Sequence, residues 1–397
     1  MKALVVVLMM AFAASAESGW TDRGEYDSVM AIRSEASARK RVELLDAWKQ
    51  KYPQSALAQI RLQLYLSAYQ ELGDSRNMLE AARGMIAAEP ESFTGSYWCT
   101  VLVPEVKEAA PEVLDAGEKS ARLLLANLDR WFVPPYESRK QRAGLLARRT
   151  LGWVAWQRGN YPSAETEFRR YLEKDPKSAE VVAWLGIVLD LQKDPAKASA
   201  GLWMLSRAGS VRGEGALPEG MRRQVASMAD RLYATYHGDG EGLEQLRTVA
   251  AAGMFPPDGF AIESGAAVAA RRADEELQRT NPALFTWVRI RRQLEGPDGE
   301  KYFAETLKPA PLPHLKGTVV SVSPASRPSE IVLAMDQPTS GDVLLRLDKP
   351  FSHAAEPGTV LEFEGTATSF EKQPFRLTVE TNRDQISGWP EAGARRQ

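Results

Sequence analysis

The chain has 397 residues, 44% hydrophobic and 26% charged, with a formal net charge of −2. That length exceeds one ordinary core, so two or three domains are expected. The near-neutral balance excludes a global field that would gather nucleic acid or anionic lipid, and a lone cysteine, Cys99, excludes an internal disulfide.

The N-terminus is patterned as a signal peptide. Lys2 supplies a positive start, Ala3 to Phe12 is an uncharged apolar run, and Ala14-Ser15-Ala16 is a small-x-small cleavage site. Cleavage after Ala16 is expected to give a periplasmic or secreted protein. No cysteine follows that point at which a bacterial lipid anchor could form. No later stretch holds the roughly 18 uncharged apolar residues that would predict a membrane-spanning anchor.

Residues 17–212 carry apolar side chains at three- and four-residue spacing, punctuated by Gly and Pro, which predicts a helical array. Tyr52-Pro53-Gln54-Ser55, Glu89-Pro90-Glu91-Ser92 and Asp175-Pro176-Lys177-Ser178 share one x-Pro-x-Ser plan. The proline pushes its predecessor out of the α region and stops a helix. The serine is then expected to cap the next one. The clearest unit runs from Leu145 to Ser178: Leu151-Gly152 in a first helix, Gly159-Asn160-Tyr161 at a turn, and Ala164, Phe168 and Tyr171 along a second. Leu185-Gly186 stands 34 residues after Leu151-Gly152, followed by Ala198, Leu202 and Leu205. Tyr65, Gly73, Met78, Ala82 and Pro90 fall at matching offsets in an earlier unit, and Leu44, Trp48 and Pro53 in a weaker one.

These residues resemble the tetratricopeptide repeat, a helix–turn–helix unit of about 34 residues that stacks on its neighbours. The resemblance implies a concave face lined by the first helix of each pair. It assigns Arg149, Trp153, Trp156 and Gln157 to that face in one unit, and Glu180, Ile187 and Asp190 in the next. Arg149 with two tryptophans would combine a handle for anions with broad aromatic surface, the composition of interface hot spots. The alternative is that Trp153 and Trp156 simply pack against neighbouring helices.

Residues 213–307 are expected to be a degenerate helical extension. Within it, Gly238-Asp239-Gly240-Glu241-Gly242 lacks the acidic spacing of a calcium loop and the Gly-Lys-Ser/Thr of a phosphate loop, so it predicts a helix–helix turn. Residues 308–315 are Pro-rich and predict a semi-rigid linker. From 316 to 389 the period switches to two, with strands expected near 316–323, 329–336, 341–348, 358–367 and 374–381. Five short strands predict a small antiparallel β-barrel or sandwich, resembling an OB-type barrel by strand count and length. Residues 390–397 are expected to be a disordered tail. The fold class is therefore α+β and multidomain: an αα helical solenoid followed by a small β-domain.

Chemistry is sparse. His237, His314 and His353 have no second histidine at helical spacing, so no zinc pair is predicted. No nucleophile elbow, phosphate-cradling loop or Cys/His couple is present. Cys99 sits in an apolar stretch and is expected to be buried and inert. No catalytic residue, metal or cofactor is predicted. The expected function is an exported protein-interaction module or scaffold of the cell envelope with a protein or peptide partner. The alternative is a cell-wall glycan-binding protein using an exposed ring on the β-domain.

Overall fold

A computed structural model describes residues 19–337 and 340–391 of the chain. The expected leader, residues 1–16, lies outside the described residues, as does most of the expected tail. Two compact units meet in sequence at Glu263 and Ser264. Among the described residues no helix is long and apolar enough to cross a membrane.

The first unit is a helical, repeat-like array. Its helices are α1 (Arg23–Ser34), α2 (Ala38–Lys51), α3 (Ala58–Leu72), α4 (Ser75–Ala88), α5 (Phe93–Val106), α6 (Pro111–Ala126), a short α7 (Leu128–Trp131), α8 (Lys140–Gln157), α9 (Tyr161–Leu172), α10 (Ala179–Leu191), α11 (Pro195–Ser210), α12 (Glu219–His237) and α13 (Leu243–Ala252). They stack as consecutive pairs. The second helix of one pair packs on the first helix of the next: α2 on α3, α4 on α5, α6 on α8, α9 on α10 and α11 on α12. First helices also meet directly, α5 with α8 and α8 with α10. No pair could bury its apolar face alone, so the stacking forms a main core from Val29 to Ala250, with a smaller one of Ala121, Leu124, Phe132, Ala143, Ala147 and Leu151 around α6–α8.

Local chemistry explains the turns. Gly73, Gly159 and Lys193 each adopt a left-handed conformation, with φ of 69°, 73° and 53°. The next residue in each case caps a second helix. Asp74 accepts from Asn77 N, Asn160 from Ser163 N and Asp194 from Ala196 N. A left-handed residue followed by Asx thus ends one helix and starts the next within two positions. Glycine sets the packing distance between paired helices. A Cβ on Gly152 would lie 2.4 Å from Phe168 Cε1, and one on Gly186 would lie 2.8 Å from Leu205 Cγ.

Two expectations about this unit are corrected. Of the three x-Pro-x-Ser serines, only Ser92 caps the following helix with its hydroxyl, accepting from Gly95 N. The Ser55 hydroxyl accepts instead from Leu57 N, and Ser178 makes no cap bond. The array also continues past residue 212. Gly215 (φ 77°) folds the intervening loop back so that its carbonyl accepts from Ala179 N at 2.9 Å. Leu217, Tyr233, Leu246 and Ala250 then join the same core. The segment 238–242 is the helix–helix turn expected of it, with Gly238 and Gly242 both at positive φ.

The second unit begins with α14 (Gly265–Thr280), α15 (Pro282–Glu295) and α16 (Gly299–Tyr302), followed by a π turn, Phe303–Leu307. Six strands follow: β1 (Pro311–Ser323), β2 (Glu330–Ala334), β3 (Val343–Leu347), β4 (Val360–Lys372), β5 (Phe375–Thr381) and β6 (Ile386–Ser387). The first five close into a barrel, because β1 pairs with both β2 and β4 in the order β1-β2-β3-β5-β4. The pairings are antiparallel except β3 with β5, which is parallel. Alternation places Val343 and Leu345, Leu361 and Phe363, and Leu377 and Val379 inside.

The boundaries differ from those read in the sequence. Residues 311–315 form the start of β1, paired with β4 through Pro311↔Thr366 and Leu312↔Gly365. Proline is tolerated there because β2 pairs with β1 only from Thr318 onward, leaving that side of the strand without a ladder. The helices after residue 264 belong to the barrel. Trp287, Ile290 and Leu294 of α15, with Phe303 and Leu307, are buried in the barrel's own core. Each such side chain contributes about 2 kcal/mol by area, far more than helix propensity can. The long β3–β4 connection carries no helix. It inserts Phe351 instead, and Trp389 stacks on that ring with centroids 3.9 Å apart and planes 5° apart. His353 Nε2 lies 2.7 Å from the Pro390 carbonyl oxygen, so residue 390 is held against the barrel.

Candidate functional site

Of the residues assigned to the first-helix face, Arg149 of α8 and Glu180 of α10 meet directly. The Arg149 side chain is only 8% exposed. Nε and Nη2 donate to Glu180 Oε2 on α10 at 3.1 and 2.9 Å, and Nη2 also donates to Glu105 Oε1 on α5 at 2.8 Å. The guanidinium carbon lies 5.0 Å from the Trp184 ring centre. One cation thus ties three successive first helices together.

Trp184 is buried and leans on Phe168 of α9 and Trp156 of α8, with centroids 5.7 and 6.2 Å apart. This ring cluster supports the outer strip. Trp156 and Ile187 are half-buried and Gln157 is exposed. Asp190 is half-buried and pairs with Lys193 at 3.0 Å. Beyond it, Glu165 of α9 accepts from Gln192 and Lys197. Burial alone would raise the Glu165 carboxyl, but these donors and Arg169 hold it below its ordinary value.

Two assigned residues do not serve as predicted. Trp153 is 3% exposed and belongs to the core, so it offers no surface to a partner. At three-residue spacing on a helix, Trp153 and Trp156 point in directions about 60° apart, enough to bury one ring and leave the other at the rim. Arg149 is not a handle for anions either, because two carboxylates already offset its charge. Their sum with Arg149 is one net negative charge, and Glu105 is 52% exposed. The local field therefore favours a cation.

Sequence reading missed Glu105 and Trp184. Trp184 carried a signal, standing one turn after Glu180 on the same helix. Glu105 carried none, because α5 departs from the repeat pattern. Cys99 is fully buried, and burial pushes its thiol up to about 12, as suits a core residue.

A second depression, about 240 Å³, lies between α6, α8 and α9. Its charges neutralise one another: Glu118 meets Arg122 and Arg158, and Arg148 meets Glu167. Among the described residues no cluster of three or more His, Cys, Asp or Glu side chains could hold a metal ion. Compared with known proteins, the chain matches no family model and no curated protein.

Proposed function

We propose that the chain is an exported scaffold of the cell envelope whose array offers the α8–α10 face to a segment of another protein. One observation carries this reading. Trp156 and Ile187 stand half-exposed on neighbouring first helices, on a base made rigid by the Arg149 ion pairs and the Trp184 ring cluster. An aromatic and an aliphatic side chain on a fixed support suit a protein anchor. The exposed Glu105 carboxylate on Arg149, two helical turns before Trp156, suits a basic residue of the partner.

The tetratricopeptide reading supports the same face. Gly152 and Gly186 recur 34 residues apart at helix crossings, and Asn160 and Asp194 recur 34 apart as caps. Stacked helix pairs of that kind bind on an extended surface. Export rests on the pattern of residues 1–16. The glycan alternative draws on the barrel, whose strand order and parallel β3–β5 pairing resemble an OB-type barrel. It needs a free exposed ring, whereas among the described barrel residues Phe351, Phe363 and Phe375 are buried, and the half-buried Trp389 and Phe370 rest on Phe351 and Phe303. The protein partner is therefore favoured.

The test is capture from envelope extracts by the wild-type chain and by Gln157→Arg with Ile187→Arg. The reading predicts a stoichiometric protein partner that the double variant loses while its melting temperature is unchanged. Equal capture by both removes the α8–α10 face from the reading. Retention on insoluble cell wall instead supports the glycan alternative.

A further inference from the structure

A groove of about 550 Å³ lies within the barrel-bearing unit, between α15, the π turn and the first residues of β1. That volume falls in the range of small-molecule sites, roughly 300–1,000 Å³. Its apolar surface comes from Phe285, Leu307 and Pro311, and its polar rim from Arg289, Gln293 and Thr306. Among the described residues no carboxylate lines it.

Arg289 is the distinctive member. It stands one helical turn after Phe285, with its guanidinium carbon 5.6 Å from that ring's centre. The ring holds the cation at the groove while the residue as a whole remains exposed. Its neighbours on the helix differ. Arg291 is engaged by Glu295 and the buried Asp342, and Arg292 by Asp274. Among the described residues Arg289 forms no ion pair within 4.0 Å. Asp274, occupied by Arg292, feels its charge only at longer range. An uncompensated guanidinium beside an apolar trough, with an exposed amide and hydroxyl at the rim, matches one ligand chemistry: a carboxylate joined to an apolar body.

We infer that this groove binds a small amphipathic carboxylate, with Arg289 taking the carboxylate and the Phe285–Leu307–Pro311 surface taking the apolar part. The site is separate from the array face and goes beyond the scaffold reading.

Phenylbutyrate and phenylbutylamine serve as probes of matched body and opposite charge, titrated into the full chain by calorimetry. The expected result is saturable one-to-one binding of phenylbutyrate, with the amine bound about tenfold or more weakly. Arg289→Gln should weaken phenylbutyrate about tenfold or more, the size of a lost charge-assisted contact. Ala310→Trp, which fills the groove from an exposed position, should abolish binding while Arg289 remains. The inference is overturned if phenylbutyrate does not saturate up to millimolar concentration. It is equally overturned if the amine binds as well, or if affinity survives both substitutions.

Discussion

The guanidinium carbon of Arg149 lies 5.0 Å from the centre of the Trp184 ring, so the cation that joins α5, α8 and α10 rests on the ring that supports Trp156. Removing either member disturbs both the charge ladder and the strip above it. Arg149→Ala leaves Glu105 and Glu180 without their shared donor. Losing one partner of a fully buried pair costs about 3–5 kcal/mol, but these carboxylates are partly solvated, which reduces the figure. Urea unfolding should show a loss of about 2 kcal/mol. Arg149→Met, which keeps an apolar stem over Trp184, should lose about half as much. A loss under about 0.5 kcal/mol for the alanine variant would show that the ladder is not structural.

The helix pairs predict changes of opposite sign in successive units. Lys193 occupies at φ 53° the place that glycine holds at Gly73 and Gly159. Lys193→Gly should therefore gain about 0.5–1 kcal/mol, and it forfeits only an exposed ion pair to Asp190. Gly152→Ala drives a methyl group into Phe168 and should cost about 1–3 kcal/mol. Combining it with Phe168→Leu should recover part of that cost. Strict additivity in the double-mutant cycle would contradict the contact.

Much of this architecture was legible because it is periodic. Gly152, Gly186 and the prolines announced helix pairs, and alternation along Val343–Leu347 and Phe375–Thr381 announced strands within a few residues of those formed. What a periodic stripe packs against is not written in the stripe. Trp287, Ile290 and Leu294 read as helix, but nothing local says that a barrel covers them rather than another repeat. Pro311 and Pro313 read as linker because an unpaired strand side is a property of the sheet, not of the segment. The candidate site divides in the same way. Arg149, Trp156 and Ile187 followed from repeat positions, whereas Glu105 came from a helix without the pattern, and Trp153 was separated from Trp156 by packing alone.

Cys99 tests the core of the array chemically. Its thiol is fully buried, and burial pushes it up to about 12. A thiol-specific reagent at pH 8 should leave it unmodified in the native protein and label it fully in denaturant. Labelling of the native protein at the rate of a free thiol would contradict the packing of α5.

On the barrel, His314 of β1 lies 3.1 Å from Glu362 and 3.4 Å from Glu364, both on β4. Its hydrogen bond to Glu362 raises its pKa above the ordinary 6.5, and that bond with nearby Lys316 lowers the pKa of Glu362 below 4.5. A raised histidine stabilises the fold fully below pH 6.5 and loses that effect as pH rises through the folded value. A lowered glutamate contributes above pH 4.5 and loses its effect as pH falls through the folded value. The pair therefore acts between those two limits. Proton NMR should give His314 a midpoint above 6.5 that moves back toward it in Glu362→Gln. A midpoint that the substitution leaves in place would remove the pair.

The central claim is that the α8–α10 face holds a partner. Photo-crosslinking groups placed at Gln157 and Ile187, with a control at the exposed Lys119 on α6, test it in envelope extracts. The account predicts one discrete adduct shared by positions 157 and 187 and none at 119. Adducts of equal yield at all three positions, or none at 157 and 187, would contradict it.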